Sequence, residues 1–266
     1  MKYFSYSSLE TFNKCPSLFS FRYIDKNLKK DESIEAFMGK RIHEALEFLY
    51  NDILLNKVPF LDRIIEKYHE RWESNWHDRI AIVHKDKSIK FYYELGEKCI
   101  AGYYRTYKPF KELVIGTEIE FLFSLNNTDD YIFKSIIDRI DHDGNGNYEI
   151  HDYKSGKRAM SYHQANKDKQ LALYQIALEQ NYKNVKSVKL IWHFLQHNIK
   201  IESNRRIEEI NKLIIETSFK IDNIKKKIQF GEDFLPKESI LCNWCYYWEE
   251  CGAKIGSNPY IKSQTQ

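Results

Sequence analysis

The chain has 266 residues, with 41 basic and 38 acidic side chains, a formal net charge of +3 and 42% hydrophobic residues. Its length is sufficient for a hydrophobic core, and its composition is typical of a soluble globular protein rather than a disordered one. No run of about 18 apolar residues occurs, which excludes a membrane-spanning helix. Residues 1–10 lack the apolar stretch of a secretory signal, so we expect a cytoplasmic protein. The small basic excess alone does not indicate a nucleic-acid-binding protein.

The first part of the chain is predicted to be helical. Residues 3–30 have helical spacing of apolar side chains, with Ser5, Ser7 or Ser8 as the N-cap and a break at Pro16. Further helices are predicted at about 35–56, 60–80 and 87–107. Cys99 lies among apolar residues of the last of these helices, so we expect it to be a core residue.

The periodicity changes at about residue 112. Strands are predicted at 113–125, 131–141 and 148–154, with turn residues at 126–130 and a hairpin turn at 143–147. A helix at 164–180, a buried strand at 187–195 and a helix at 205–229 follow, before an irregular tail. This order predicts an α/β (α+β) protein with one domain, 1–266, in four parts: an N-terminal helical segment (1–30), a helical region (34–110), a core (112–230) and a tail (231–266).

Two acidic residues and a lysine lie on neighbouring predicted strands. Asp138 is on the second strand, and alternation places Asp152 and Lys154 on one face of the third. Burying such groups is costly without a partner, and Mg²⁺ or Mn²⁺ would accept both carboxylates as ligands. Lys154 could then face a phosphate and stabilise developing charge. The alternative is a structural salt bridge between Asp152 and Lys154, and both interpretations stay open.

Two helices could contribute to the same site. Gln170 and Tyr174 are four residues apart on the helix after the third strand, and therefore share one face. In the helical region, the spacing Gly39-x3-His43-x3-Glu47 could bring an imidazole to the metal. A lone histidine on a helix is more often structural.

Three of the five cysteines form a cluster near the end of the chain: Cys242, Cys245 and Cys251. Their spacing predicts ligation of a metal or cluster rather than disulfides. A fourth ligand would have to be Cys15 or Cys99. Unrelated free thiols are the remaining alternative.

The ordered set of Gly39 and His43, Asp138-Arg139-Ile140-Asp141, Asp152-Tyr153-Lys154-Ser155-Gly156 and Gln170-x3-Tyr174 resembles the RecB-like branch of the PD-(D/E)XK nuclease superfamily. The segment from Ser7 to Pro16, together with the C-terminal cysteines, is similar to its iron–sulfur subgroup, which includes AddB-type helicase-nucleases and CRISPR-adaptation exonucleases. Each motif is weak individually, but the complete ordered set is specific.

The resemblance implies a restriction-endonuclease-like αβββαβ core with a mixed central sheet and a large helical insertion. It implies that His43, Asp138, Asp152 and the Tyr153 carbonyl bind Mg²⁺ or Mn²⁺, and that Asp138, Asp152 and Lys154 are catalytic. Gln170 and Tyr174 would contact DNA or support the site. A further acidic ligand could be Glu118, Glu120 or Glu47, which the sequence does not rank.

For the cysteines, the resemblance implies that a [4Fe–4S] cluster bound by Cys15, Cys242, Cys245 and Cys251 joins the two ends of the chain. Thiolate ligation of such a cluster is ordinary chemistry. Zinc is the alternative, since four cysteines also suit tetrahedral Zn²⁺.

The predicted function is metal-dependent exonuclease activity on single-stranded DNA or DNA ends, in DNA repair, recombination or CRISPR adaptation. The alternative is a non-catalytic DNA-end-binding or assembly module of a helicase or integrase complex. The chain has no G-x4-G-K-[ST] loop, so ATP-driven unwinding would need a partner protein. The helical region could shape a channel for single-stranded DNA or form an oligomer face.

Overall fold

The N-terminal half of the protein is helical, as predicted. A computed structural model describes residues 2–126 and 128–261. Its elements up to residue 107 are α1 (Tyr6–Lys14), α2 (Pro16–Phe19), a π-helical turn (Ser20–Ile24), β1 (Glu32–Ser33), α3 (Ile34–Leu54), α4 (Leu61–Asn75), β2 (Ile80–Ala81) and α5 (Ile89–Tyr107). Ser5 is the N-cap of α1, and its hydroxyl accepts from the Ser8 N–H at 3.1 Å. Pro16 begins a new short helix because its ring suits the first helical position.

A five-stranded mixed sheet forms the centre of the second half. The elements there are β3 (Val114–Ser124), β4 (Ile132–His142), β5 (Asn147–Lys154), α6 (Tyr162–Ala165), α7 (Gln170–Asn181), β6 (Ser187–Phe194), β7 (Ile199–Ser203) and α8 (Ile207–Gln229). The strand order is β3-β4-β5-β6-β7, and only the β5–β6 pair is parallel. The crossover from β5 to β6 contains α6 and α7, as a parallel connection requires.

The hairpin turn between β4 and β5 confirms the sequence prediction. The Asp143 carboxylate accepts hydrogen bonds from the backbone N–H groups of Asn145 (2.7 Å) and Asn147 (3.0 Å). Gly146 has a φ of +95°, and a Cβ there would lie 2.6 Å from the Asn184 carbonyl oxygen. Glycine is therefore required at this position by both conformation and space.

The sheet is covered on both faces. On β5, Ile150 packs into a core formed with α7 and α8, whereas Tyr153 packs into a second core formed by α3, α4 and α5. This division follows from the alternation of side chains along the strand. Cys99 is buried in the second core, and burial raises the pKa of its thiol to about 11. This position confirms the prediction that Cys99 is a core residue.

The N-terminal segment pairs with the part of β4 that has no partner in β5. Phe4 N–H donates to the Ile132 carbonyl at 2.9 Å, and Lys134 N–H donates to the Phe4 carbonyl at 2.7 Å. Phe4 thereby covers the part of β4 that β5 does not reach. Sequence periodicity could not reveal this contact, because it joins residues that are far apart in the chain.

Some predicted boundaries were wrong. The helical segment predicted at 3–30 ends at Ile24, and the helix predicted at 60–80 ends at Asn75. The helix predicted from 164 is divided into α6 and α7. The short strands β1, β2 and β7 were not predicted. Residue 127 of the predicted 126–130 turn and residues 262–266 of the predicted tail lie outside the described residues. Among the described helices, none is both long and apolar enough to span a membrane.

Candidate metal centre and active site

The candidate site lies where β4 and β5 separate. The paired register ends at Arg139 opposite His151, so continuing it by one residue would place Asp138 opposite Asp152. The strands diverge at this point, and Tyr153 N–H instead donates to Asp138 Oδ2 at 2.7 Å. Two carboxylates therefore face a gap in the sheet, held by backbone geometry rather than by flexible loops.

Helix α3 brings a histidine to this gap. His43 Nε2 lies 2.8 Å from the Tyr153 carbonyl oxygen. Since a carbonyl can only accept, Nε2 carries the proton and Nδ1 is left to face the carboxylates. Nδ1 lies 3.5 Å from Asp138 Oδ2 and 4.0 Å from Glu118 Oε1. The ligand atoms of these three residues lie within 4.8 Å of one another.

Glu118 is the acidic residue that joins His43 and Asp138. It lies in β3 beyond an irregularity in the β3–β4 register and has a φ of +46°, in the left-handed region. Such a backbone conformation at a non-glycine residue persists only where the surroundings impose it, often at functional sites. Of the other candidates, Glu120 forms an ion pair with Lys134 at 2.7 Å, and Glu47 lines the same cleft as His43. The sequence alone gave no signal that would rank these three.

The acidic groups of this cluster repel one another. Burial, together with the charge of Asp138, raises the pKa of Glu118 to about 7. Burial and Asp152 raise the pKa of Asp138 to about 6, although His43 acts in the opposite direction. Burial lowers the pKa of His43, but the neighbouring carboxylates outweigh this effect and raise it overall. A divalent cation would relieve this repulsion, and a donor set of two carboxylates, an imidazole and a backbone carbonyl fits Mg²⁺ or Mn²⁺.

Asp152 is turned toward a different set of partners. It is 3% exposed, and its Oδ2 lies 2.7 Å from Lys154 Nζ in an ion pair. Gln170 accepts from Lys154 Nζ at 2.8 Å and donates to Asp152 Oδ1 at 3.0 Å, so one amide holds both residues. Its Nε2 also lies 3.0 Å from the Tyr174 hydroxyl. Burial lowers the pKa of Lys154, but Asp152 more than offsets this and keeps the ammonium charged.

Asp168 supports this arrangement and was missed by the sequence analysis. Its carboxylate accepts from the backbone N–H groups of Gln170 (2.9 Å) and Leu171 (3.3 Å), and so caps the first turn of α7. Burial raises its pKa, and the nearby charge of Asp152 adds to the effect. The predicted helix at 164–180 contains Asp168, so its capping role became visible only with the break between α6 and α7.

The structure brings the predicted residues together in two adjoining groups. His43, Asp138 and the Tyr153 carbonyl form one group with Glu118. Asp152, Lys154, Gln170 and Tyr174 form the other. An open cleft of about 580 Å³ is lined by Gly39, His43, Glu47, Glu118 and Ser155, among others, and gives access to the first group.

The cysteines give a different result. Cys15, Cys242, Cys245 and Cys251 are free and half-buried, and Lys237 N–H points to Cys15 Sγ at 3.5 Å, which connects the tail to the start of the chain. Burial, with the charges of Cys242 and Cys15, raises the pKa of Cys245. Within 2–126 and 128–261, however, no cysteine belongs to a group of three ligand atoms within 4.8 Å of one another. Tetrahedral Zn²⁺ would require sulfurs about 3.8 Å apart. The arrangement of the described cysteines therefore does not support a preformed metal or cluster site.

Comparison with protein families gives a match over most of the chain. The sequence profile of a family described as the PD-(D/E)XK nuclease superfamily matches residues 3–252. The chain belongs to this superfamily. Members of the PD-(D/E)XK superfamily use divalent metals to cleave nucleic acids, in agreement with the acidic and histidine groups around the cleft.

A solved structure shares the fold. The crystal structure of a "Putative exonuclease" from Eubacterium rectale at 2.19 Å resolution has a TM-score of 0.55 and 13% sequence identity, covering 91% of this chain and 86% of that chain. At this identity the likeness concerns the fold alone. No curated protein sequence matches the chain.

Proposed function

We propose that this PD-(D/E)XK protein is a metal-dependent DNA exonuclease that acts on single strands or DNA ends. The proposal rests on one observation: His43, Glu118 and Asp138 converge within 4.8 Å beside an Asp152–Lys154 ion pair, at the point where two strands separate. A purely structural salt bridge would explain Asp152 and Lys154, but not the crowding of two further carboxylates and a histidine next to them.

In this proposal, Asp138, Glu118, His43 and the Tyr153 carbonyl would hold the cation, with Asp152 as a further ligand from the adjoining group. The cation would polarise the phosphate and stabilise the leaving oxygen. Lys154 would orient the attacking water and stabilise negative charge that develops on the phosphate. Gln170 would keep Asp152 and Lys154 in register, and Tyr174 would orient the Gln170 amide.

The test is digestion of 5′- and 3′-labelled single-stranded DNA by purified protein with Mn²⁺, with Mg²⁺ and with EDTA. We expect cleavage that EDTA abolishes and that Asp138→Ala removes. Glu120→Gln is the matched control, because this carboxylate lies on β3 but pairs with Lys134 away from the cleft. Undiminished cleavage by Asp138→Ala would contradict the metal assignment. DNA binding without cleavage by the wild type, under every metal condition, would favour the end-binding or assembly module.

We also propose that Cys15, Cys242, Cys245 and Cys251 bind a [4Fe–4S] cluster that ties the tail to the first helices. The proposal is supported by the C-x2-C-x5-C spacing and by the Lys237 N–H contact with Cys15 Sγ, which brings the tail to the first helices. Anaerobic purification followed by iron, sulfide and zinc analysis tests this proposal. Cys15→Ala should lose iron and lower thermal stability, whereas Cys99→Ala should keep its iron. Stoichiometric zinc, or no metal, would contradict the cluster.

A further inference from the structure

A buried arginine lies behind the candidate site. Arg139 is 1% exposed, and its guanidinium is enclosed by Tyr50, Tyr103 and Tyr153. We call these four residues the arginine hub. Nη1 donates to the hydroxyls of Tyr103 (2.9 Å) and Tyr153 (3.3 Å), and the guanidinium lies 4.1 Å from the centre of the Tyr50 ring. The Tyr50 and Tyr103 hydroxyls are 2.6 Å apart.

Asp141 neutralises the charge of the hub. Its Oδ2 accepts from Arg139 Nη2 at 3.0 Å, and its Oδ1 lies 3.0 Å from Nε in an ionic contact. Burial raises the pKa of Asp141, but Arg139 reverses this effect and lowers it overall. Asp141, Glu149 and His151 are close enough to hold a metal ion. Arg139 already occupies this position, because its Nη2 also lies 2.8 Å from His151 Nδ1.

A chain of histidines leads away from the hub. Arg139 Nη2 lies 2.8 Å from His151 Nδ1 and 3.0 Å from His151 Nε2, so it contacts both ring nitrogens. His151 Nδ1 also lies 2.9 Å from His193 Nε2, and His193 Nδ1 lies 3.0 Å from the Tyr107 hydroxyl. Burial lowers the pKa of His193 well below its usual value, in agreement with a neutral ring. Every member of this chain thus has a partner without involving the candidate metal centre.

The hub, in contrast, is connected to the metal centre through two residues. Tyr153 has its hydroxyl in the hub, while its backbone N–H donates to Asp138 and its carbonyl accepts from His43. Tyr50 lies on α3 seven residues after His43, two helical turns along the same face. The hub therefore holds both the strand that supplies the carbonyl and the helix that supplies the imidazole.

We propose that the arginine hub positions the metal ligands. Tyr153 and Tyr50 act as positioning residues that set the distance between the Tyr153 carbonyl, His43 and Asp138. This inference rests on the proposed function, since it assumes that these three groups bind a divalent cation. Removal of a group that orients a metal ligand without binding the metal itself commonly lowers metal affinity by about 10–100-fold. Loss of one hydroxyl that retains the ring should lie at the lower end of this range.

The experiment measures the affinity for Mn²⁺ alone by calorimetry, without DNA, in the full chain. Tyr153→Phe and Tyr50→Phe each remove one hub hydroxyl and preserve the ring and backbone. Tyr107→Phe is the matched control, because it removes a hydroxyl from the histidine chain on the same side of the sheet. Thermal unfolding in EDTA is recorded for all three variants.

We expect Tyr153→Phe and Tyr50→Phe to weaken Mn²⁺ binding by about tenfold, with Tyr107→Phe unchanged. Cleavage by the two hub variants should recover when Mn²⁺ is raised to saturation. Equal Mn²⁺ affinity in all variants, with similar losses of thermal stability, would overturn the proposal and leave the hub a packing feature. A third outcome would separate the two proposals. If the hub variants bind Mn²⁺ more weakly but the wild type does not cleave DNA, the positioning role is preserved and the nuclease proposal is refuted.

Discussion

Replacing Asp138 with asparagine should stabilise the metal-free protein while it removes metal-dependent cleavage. The Asp138 side chain is 12% exposed and lies near Glu118 and Asp152, and burial together with Asp152 raises its pKa to about 6. An asparagine is nearly isosteric, carries no charge, and can still accept from Tyr153 N–H through its amide oxygen. The substitution therefore removes the repulsion and keeps the hydrogen bond.

The magnitude follows from the pKa difference between the folded and unfolded states. A pKa of about 6 in the folded protein, against about 3.9 in the unfolded chain, corresponds to about 3 kcal/mol of destabilisation at pH 8. The folded pKa already includes the attraction to His43, but the buried asparagine amide has a desolvation cost of its own, so we expect about 1–2 kcal/mol of net stabilisation. For a chain of this size, that raises the melting temperature by about 3–6 °C.

Thermal unfolding in EDTA at pH 8 and pH 5, with and without Mn²⁺, measures the effect. Asp138→Asn should melt above the wild type at pH 8, by less at pH 5, and should lose the stabilisation by Mn²⁺. Glu120→Gln serves as the control, since its exposed ion pair should contribute little. A melting temperature of Asp138→Asn below that of the wild type at pH 8 would refute the idea that the carboxylates repel one another in the empty cluster.

Three further predictions address the surroundings of Asp138. Lys154→Met should reduce single-turnover cleavage by at least about 100-fold but leave Mn²⁺ affinity within a few-fold of the wild type; parallel loss of both would assign Lys154 to metal binding. Gly39→Ala places a Cβ 2.7 Å from Ser155 Oγ, but rotation of this hydroxyl and the helix propensity of alanine offset the clash, so the unfolding free energy should change by less than about 1 kcal/mol; a larger loss that Ser155→Ala restores would show that the hydroxyl is held in place. Because the folded pKa values of Asp138 and Glu118 are raised, these carboxyls should destabilise the metal-free protein progressively as pH rises from about 4 to 7, and the raised pKa of His43 extends the effect above about 6.5; the difference in denaturation midpoint between Asp138→Asn and the wild type should therefore grow over this interval, and a constant difference would contradict the cluster's electrostatics.

Local patterns predicted most of the secondary structure, and the family resemblance supplied the candidate site residues, but neither predicted the contacts between these residues. The hairpin at 143–147 and the position of Cys99 depend on neighbouring residues, so periodicity and turn chemistry were sufficient. The grouping of Glu118 with His43 and Asp138 depends on the β3–β4 register and an unusual backbone angle, which no residue pattern encodes.

The division of Asp152 and Asp138 between two groups was also beyond the sequence. The resemblance assigned both to one metal, and in the structure Asp152 also pairs with Lys154 and Gln170. Where two strands separate, the direction of a side chain depends on its partners in other elements. For Asp152, this partner is the Gln170 amide at the start of α7. Similarly, Arg139 was visible only as part of a motif, because its partners come from α3, α5 and β5.

The adjacent placement of Asp138 and Arg139 on β4 restricts how this strand can change during evolution. Alternation directs the Asp138 side chain toward His43 and Glu118 and the Arg139 side chain into the hub, so both side-chain directions depend on the same register of β4. An insertion or deletion of one residue in β4 before Asp138 would exchange them, and would place a carboxylate among buried tyrosines and a guanidinium beside the metal ligands. Length variation among related chains should therefore be absent from this part of β4 and be tolerated in the turn that precedes it.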